Sequence, residues 1–199
     1  MEIYLIRHTT PHISHDICYG QSDITLADSF KEELQNLRSK LPGHFDVIYS
    51  SPLKRCKHLA QNLSGASIQY DERLLELNFG SWEMKRWNEI DQDALKSWMN
   101  HFVEQKTPGG ESFHELWTRG TSFLQDLKRM FPAKRPNESF GAQQNETIAL
   151  VTHAGIIRAI IAHILGMPLK NAFQLKIDYG AVSLVTFEKD LYHLVYLNK

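Results

Sequence analysis

Two short, wholly apolar runs that each end in a histidine constrain the fold of this chain more than any other feature. Near the start, Ile3-Tyr4-Leu5-Ile6 leads into Arg7-His8; about 145 residues later, Ile148-Ala149-Leu150-Val151-Thr152 leads into His153. Runs without polar alternation must be covered on both faces, as in the strands of a buried parallel sheet. Parallel strands need crossovers, and helical patterns occupy the stretches between. The expected fold class is therefore α/β, a three-layer α/β/α sandwich around a mostly parallel central sheet. Open sheets of this kind gather their active sites at the carboxyl ends of strands, so the two imidazoles are expected to share one rim.

The rest of the chain fits this frame. Residues 2–7 read as the first strand and 9–25 as a loop. A helical pattern (Phe30, Leu34, Leu37, Leu41) spans 27–41 and closes at Pro42-Gly43. A strand follows at 45–50, then a helix to about Leu63 with Ser51 as its cap and Pro52 at its first position. Residues 66–70 form another strand. The stretch 83–130 is helical in composition with one break at 107–110. Its second helix, starting near Glu111-Ser112, carries Phe113, Leu116, Trp117, Phe123, Leu124 and Leu127 as a core stripe. The polar stretch 132–146 reads as a surface loop. A helix from Gly155 to about Leu165, a short one at 168–175 and an antiparallel hairpin (181–187 with 191–197) complete the chain. With 199 residues and 42% hydrophobic content, one domain over 1–199 is expected, with a helical cap insertion around 83–107.

Charge and cysteine content exclude several classes. The 22 basic and 23 acidic residues nearly cancel, which argues against a nucleic-acid partner. Cys18 and Cys56 are too few for a disulfide framework and read as free thiols of a reducing, cytoplasmic setting. No apolar stretch approaches the ~20 residues of a membrane span, and only four apolar residues precede Arg7, so neither a membrane partner nor a signal peptide is expected.

Four separated segments carry the chemistry: Leu5-Ile6-Arg7-His8-Thr9-Thr10-Pro11, Ser50-Ser51-Pro52-Leu53-Lys54-Arg55, Glu76-Leu77-Asn78-Phe79-Gly80-Ser81-Trp82-Glu83 and Val151-Thr152-His153-Ala154-Gly155, with Pro108-Gly109-Gly110-Glu111-Ser112 before the last. In this order and spacing, over nearly the whole chain, they resemble the histidine phosphatase superfamily, the phosphoglycerate-mutase-like enzymes. The resemblance implies a metal-independent phosphomonoesterase without a cofactor. His8 would attack phosphorus and become phosphohistidine. Arg7, Arg55 and His153 would form the phosphate pocket, planar guanidinium forks suiting paired oxygens. Glu76 would protonate the leaving oxygen and then activate water, a role that apolar neighbours such as Leu75, Leu77 and Phe79 would favour. His8 must be neutral to attack, and packed cations would lower its pKa. The starts of the helices bearing Arg55 and Ala154-Gly155 would offer free N–H groups to the anion.

Alone, each residue has a plainer reading: a histidine closing a strand, a solvated arginine, an edge carboxylate. Their joint order favours a phosphate site. Glu83 reads as structural support, Cys56 as a buried inert thiol, and the four tryptophans as core or lid packing. Gly109-Gly110 lacks the Lys-Ser/Thr of a nucleotide loop, and His12, His15 and Asp16 lack further ligands for a metal.

The stretch Cys18-Tyr19-Gly20-Gln21-Ser22-Asp23 resembles that of alpha-ribazole phosphatases, which remove the 5′-phosphate of alpha-ribazole phosphate in cobalamin nucleotide-loop assembly. This makes Ser14, Tyr19, Gly20, Gln21 and Ala154 the expected substrate-binding positions and a small phosphomonoester the expected partner, with a homodimer as one possible assembly. The alternatives are a broad sugar or nucleotide phosphatase, a mutase-like enzyme, and a noncatalytic phospho-ligand binding module. A mutase needs a second basic cluster, which is not evident. The chain departs from the family pattern at Thr9 (usually Gly), Ser14 (often Asn) and Ala27 (commonly Thr).

Overall fold

The structure, a computed structural model, describes residues 1–65, 67–132 and 146–199; the expected loop at 132–146 lies almost entirely outside them. A six-stranded sheet runs in the order β3-β2-β4-β1-β5-β6, formed by β1 (Glu2–Arg7), β2 (Val47–Ser50), β3 (Ile68–Tyr70), β4 (Thr147–Thr152), β5 (Val182–Glu188) and β6 (Leu191–Tyr196). The first four are mutually parallel and the last two antiparallel, as the sequence implies. Lys189 and Asp190 both adopt positive φ, the backbone a tight hairpin turn requires.

Period-two geometry explains why the two apolar runs must lie at the centre. Ile148 and Leu150 of β4 join Ile3 and Leu5 in a core with the helices α4 (Phe113–Met130) and α5 (Ala154–Ile164). Ala149 and Val151 face the other way, with Ile6, against α1 (Phe30–Arg38) and α2 (Lys54–Gln61). The result is three layers, and among the described helices none is long and apolar enough to cross a membrane. Residues 83–107, the expected cap insertion, hold a 3-10 turn at Trp87–Glu89 and one helix, α3 (Gln92–His101). Their aromatic residues pack edge to face: Trp98 meets Phe79 and Trp82, and Phe102 meets Phe113.

Ser112 starts α4 as expected, through a reciprocal capping box with Glu115. Trp117 lies at the margin of the stripe, edge-on to His163. Two helices start later than the sequence suggests. Helix α1 begins at Phe30, because Ala27 gives its N–H to the Thr10 carbonyl and offers no capping oxygen, while the Ser29 hydroxyl donates to Glu33. Helix α2 begins at Lys54 rather than after Ser51. Ser51 still belongs to the sheet rim, its N–H donating to the Val151 carbonyl, and its hydroxyl is drawn into the site.

Candidate active site

The parallel register of β1 and β4 pairs Ile6 with Val151 and Arg7 with Thr152. The next residues, His8 and His153, therefore leave adjacent strands side by side. Their rings meet edge to face with centroids 5.1 Å apart, and both are buried. His8 Nδ1 lies 2.7 Å from the Thr9 carbonyl oxygen. A carbonyl only accepts, so Nδ1 must carry the proton and Nε2 keeps a free lone pair. His153 is held through Nε2 by the Ser51 hydroxyl at 2.8 Å.

Burial is the larger cause, and the Arg55 and Arg7 charges the smaller, that holds His8 well below its ordinary 6.5. His153 is depressed for the same reasons, with Arg55 its strongest neighbouring charge. Both shifts favour neutral rings near pH 7. The unfolded chain takes up protons below pH 6.5 and the folded one does not, so stability is full above that pH and declines as pH falls. The slope per histidine should approach about 1.4 kcal/mol per pH unit once pH is about a unit or more below 6.5. Urea unfolding between pH 7 and 5.5 measures it; a flat profile refutes neutral burial.

Arg55 is fully buried at 0% exposure. Its guanidinium donates to the carbonyls of Gly20 (2.5 Å) and Ser22 (2.8 Å). Arg7 donates to the Ile177 carbonyl at 2.6 Å. Among the described residues neither arginine has a carboxylate partner, and the Nε of each is buried without a hydrogen bond. An unpaired buried cation costs several kcal/mol. Arg55, fully buried, and Arg7, half-buried, stand beside a neutral imidazole with a free lone pair and make a cup for an anion.

Glu76 reaches this cup from a segment without regular structure. Its carboxylate accepts N–H bonds from Leu77 (2.9 Å) and Gly155 (3.1 Å). A Cβ on Gly155 would stand 2.1 Å from Glu76 Oε1, so this position must stay glycine for the carboxylate to remain. One N–H at each helix start is thus taken by a carboxylate of the protein itself. Gly155 N–H serves Glu76, and Lys54 N–H, at the start of α2, serves Asp23. The positive ends of the helices do attract negative charge, but the charge belongs to the protein.

A pocket of about 260 Å³ opens above the cup. Of the expected binding positions, Ser14, Tyr19 and Ala154 line it, together with Arg7, His8 and Glu76. Gly20 and Gln21 do not. Their N–H groups, with those of Ser22 and Phe79 and the Ser22 hydroxyl, converge on Glu83. Burial opposes the charge on Glu83, yet these bonds outweigh it and hold the carboxyl below its usual range. Glu83 therefore fixes the loop whose carbonyls grip Arg55. Gln21 spends its amide on the Glu76 carbonyl.

Sequence reasoning misses four residues here. Ser51 was read as a cap. Arg158 lies one helical turn after Ala154, on the same face of α5, and enters the pocket; that spacing was the available signal. Tyr179 stacks on Arg7, and only the pairing of β5 with β1 brings it near. Arg119 donates to the carbonyls of Arg73, Leu75 and Glu76 while paired with Glu111, clamping the segment that carries Glu76. Cys18 and Cys56 are both buried, and burial pushes each thiol up to about 12, which fits an inert role. Among the described residues no group of three or more His, Cys, Asp or Glu is placed to hold a metal; Asp16 is paired with Arg86.

The model of the histidine phosphatase superfamily (branch 1) matches residues 3–199. A Hydrogenobacter thermophilus protein provisionally named phosphoserine phosphatase 2 is 30% identical, covering 99% of this chain and 95% of its own length. The adenosylcobalamin/alpha-ribazole phosphatase of Escherichia coli is 27% identical, covering 100% of this chain and 96% of its own. Among solved structures, the alpha-ribazole phosphatase of Shigella flexneri superposes with a TM-score of 0.84 at 25% identity, covering 100% of this chain and 96% of its own.

Proposed function

The chain belongs to the histidine phosphatase superfamily, and from that premise we propose that it hydrolyses phosphomonoesters through a phosphohistidine on His8, with alpha-ribazole 5′-phosphate as substrate. One observation carries the reading: a neutral imidazole with its Nε2 lone pair free, beside the buried Arg55 and half-buried Arg7 guanidinium groups, neither of which has a carboxylate partner among the described residues.

The steps follow from the positions. Nε2 of His8 attacks phosphorus as the ester P–O bond breaks. Arg7, Arg55 and His153 take up the phosphoryl oxygens, where preorganised donors cost no reorganisation during reaction. The Glu76 carboxyl gives its proton to the departing oxygen, and the alcohol leaves. The resulting carboxylate then takes a proton from water as that water attacks phosphorus. The P–N bond breaks, releasing inorganic phosphate and restoring His8. Arg55→Ala is expected to lower kcat/KM on the order of 10²–10³-fold, as for loss of one preorganised charge-stabilising donor; steady-state kinetics decide it, and a wild-type rate refutes the role.

The pocket wall supports a bulky aromatic leaving group. Ile13, Ile17, Leu77, Phe79, Trp87 and Phe113 dominate it, and apolar walls with few polar groups suit such ligands. A second reading, phosphoserine, draws on Arg158, which lines the same pocket without an ion-pair partner among the described residues and is able to take a carboxylate. Against it, among the described residues the pocket has no carboxylate besides Glu76 to meet an ammonium group. In excess chelator, kcat/KM for alpha-ribazole 5′-phosphate is expected to exceed that for O-phosphoserine by at least ~10²-fold, on the scale by which mismatched polar groups are rejected. The reverse order selects the second reading. Similar values across sugar and nucleotide monophosphates select a broad phosphatase. Loss of activity in chelator refutes the metal-independent route.

A further inference from the structure

The cup poses a physical problem that the catalytic residues do not solve. The buried Arg55 and half-buried Arg7 guanidinium groups repel each other, and a carboxylate placed to hold them would cancel the charge an anion needs. An aromatic face holds a cation without cancelling its charge. The guanidinium carbon of Arg7 lies 3.6 Å from the centroid of the Tyr179 ring, and that of Arg55 lies 5.5 Å from the Tyr19 ring. The two tyrosines stand 160 residues apart in sequence, yet their hydroxyls meet at 2.6 Å. The Tyr179 ring also sits 5.6 Å from the His8 ring, and Ile177 of the same segment supplies the carbonyl that Arg7 donates to.

We propose that Tyr19 and Tyr179 form a hydroxyl-linked aromatic brace across the cup, positioning Arg7 and Arg55 for the phosphoryl group while leaving their charge free. The inference rests on reading the cup as a phosphate site. Tyr19 enters it as a positioning residue for Arg55, in addition to lining the pocket. The chain Arg7–Tyr179–Tyr19–Arg55 ties the loop after β1 to the segment before β5, so each guanidinium is fixed by a carbonyl and a ring rather than by an acid.

A brace of this kind acts on the phosphoryl group whatever alcohol is attached. Tyr179→Leu is therefore expected to weaken competitive inhibition by inorganic phosphate on the order of tenfold, the scale of a partly desolvated cation–π contact. It should lower kcat/KM for p-nitrophenyl phosphate and alpha-ribazole 5′-phosphate by the same factor. Tyr179→Phe keeps the ring and should recover most of the loss, to within about threefold of wild type, since only the hydroxyl link is gone. Near-UV circular dichroism checks the fold of each variant, and Tyr19→Leu, on a separate loop, carries the same expectation for phosphate should Tyr179→Leu fail to fold. Unchanged phosphate inhibition in a folded leucine variant overturns the brace, as does a loss confined to one substrate, which would make the tyrosines contacts of the leaving group. A wild-type protein that phosphate does not inhibit overturns the phosphate site itself, and that failure is recognised from the wild type alone.

Discussion

His8→Ala will abolish turnover, with a loss on the order of 10⁴–10⁶ in kcat by analogy with removal of an enzyme nucleophile, and no acid-labile phosphate will form on the protein. The reason is geometric. At the floor of the cup His8 keeps its Nε2 lone pair free, because its Nδ1–H is committed to the Thr9 carbonyl. The neighbouring His153 has its Nε2 held by the Ser51 hydroxyl. Arg7 and Arg55 remain in the variant, so it should still bind phosphomonoester without cleaving it. Quench experiments with labelled substrate, read beside isothermal titration, test both halves. Acid-labile label on the alanine variant would place the covalent step elsewhere.

The second large effect is expected at Glu76 and depends on the alcohol released. For an alkyl ester, Glu76→Gln should lower kcat/KM on the order of 10²–10⁴-fold, because among the described residues no other carboxyl lines the pocket to protonate the alkoxide. A p-nitrophenolate needs no proton to depart, so kcat/KM for p-nitrophenyl phosphate should fall by less than about tenfold. Its kcat should nevertheless drop, as water must now attack phosphohistidine without a base, and a burst of p-nitrophenol should precede the slow steady state. The amide also gives up one of two N–H bonds, from Leu77 or Gly155, because its NH₂ cannot accept. Equal losses on both substrates, with no burst, would show that Glu76 only supports the pocket.

The two strands, their histidines and the core stripe of α4 were legible in the sequence because period and length alone identify them. Ile148 to Val151 could only be central, and Ser112 with Glu115 announces a helix start. Local signals failed where a tertiary partner outbid them. Ser51-Pro52 has the form of a helix start, yet the Ser51 hydroxyl binds His153, a residue about 100 positions away, and α2 begins at Lys54. Glu83 looked like general support; its actual work is to gather the 20–22 loop that grips Arg55. Gly20 and Gln21 looked like binding positions, but their polar groups are consumed in building that loop.

By itself the sequence determined the layered α/β fold and the order of the segments that carry His8, Arg55, Glu76 and His153, since apolar periodicity and motif order are properties of the chain itself. The tertiary structure alone decided the strand register that sets His8 against His153, the nitrogen left free on His8, and the pairing of both arginines with carbonyls and rings instead of acids. Those outcomes depend on which distant backbone oxygen or aromatic face comes within about 3–4 Å, the range over which hydrogen bonds and close contacts act. No spacing along a single chain encodes such a distance.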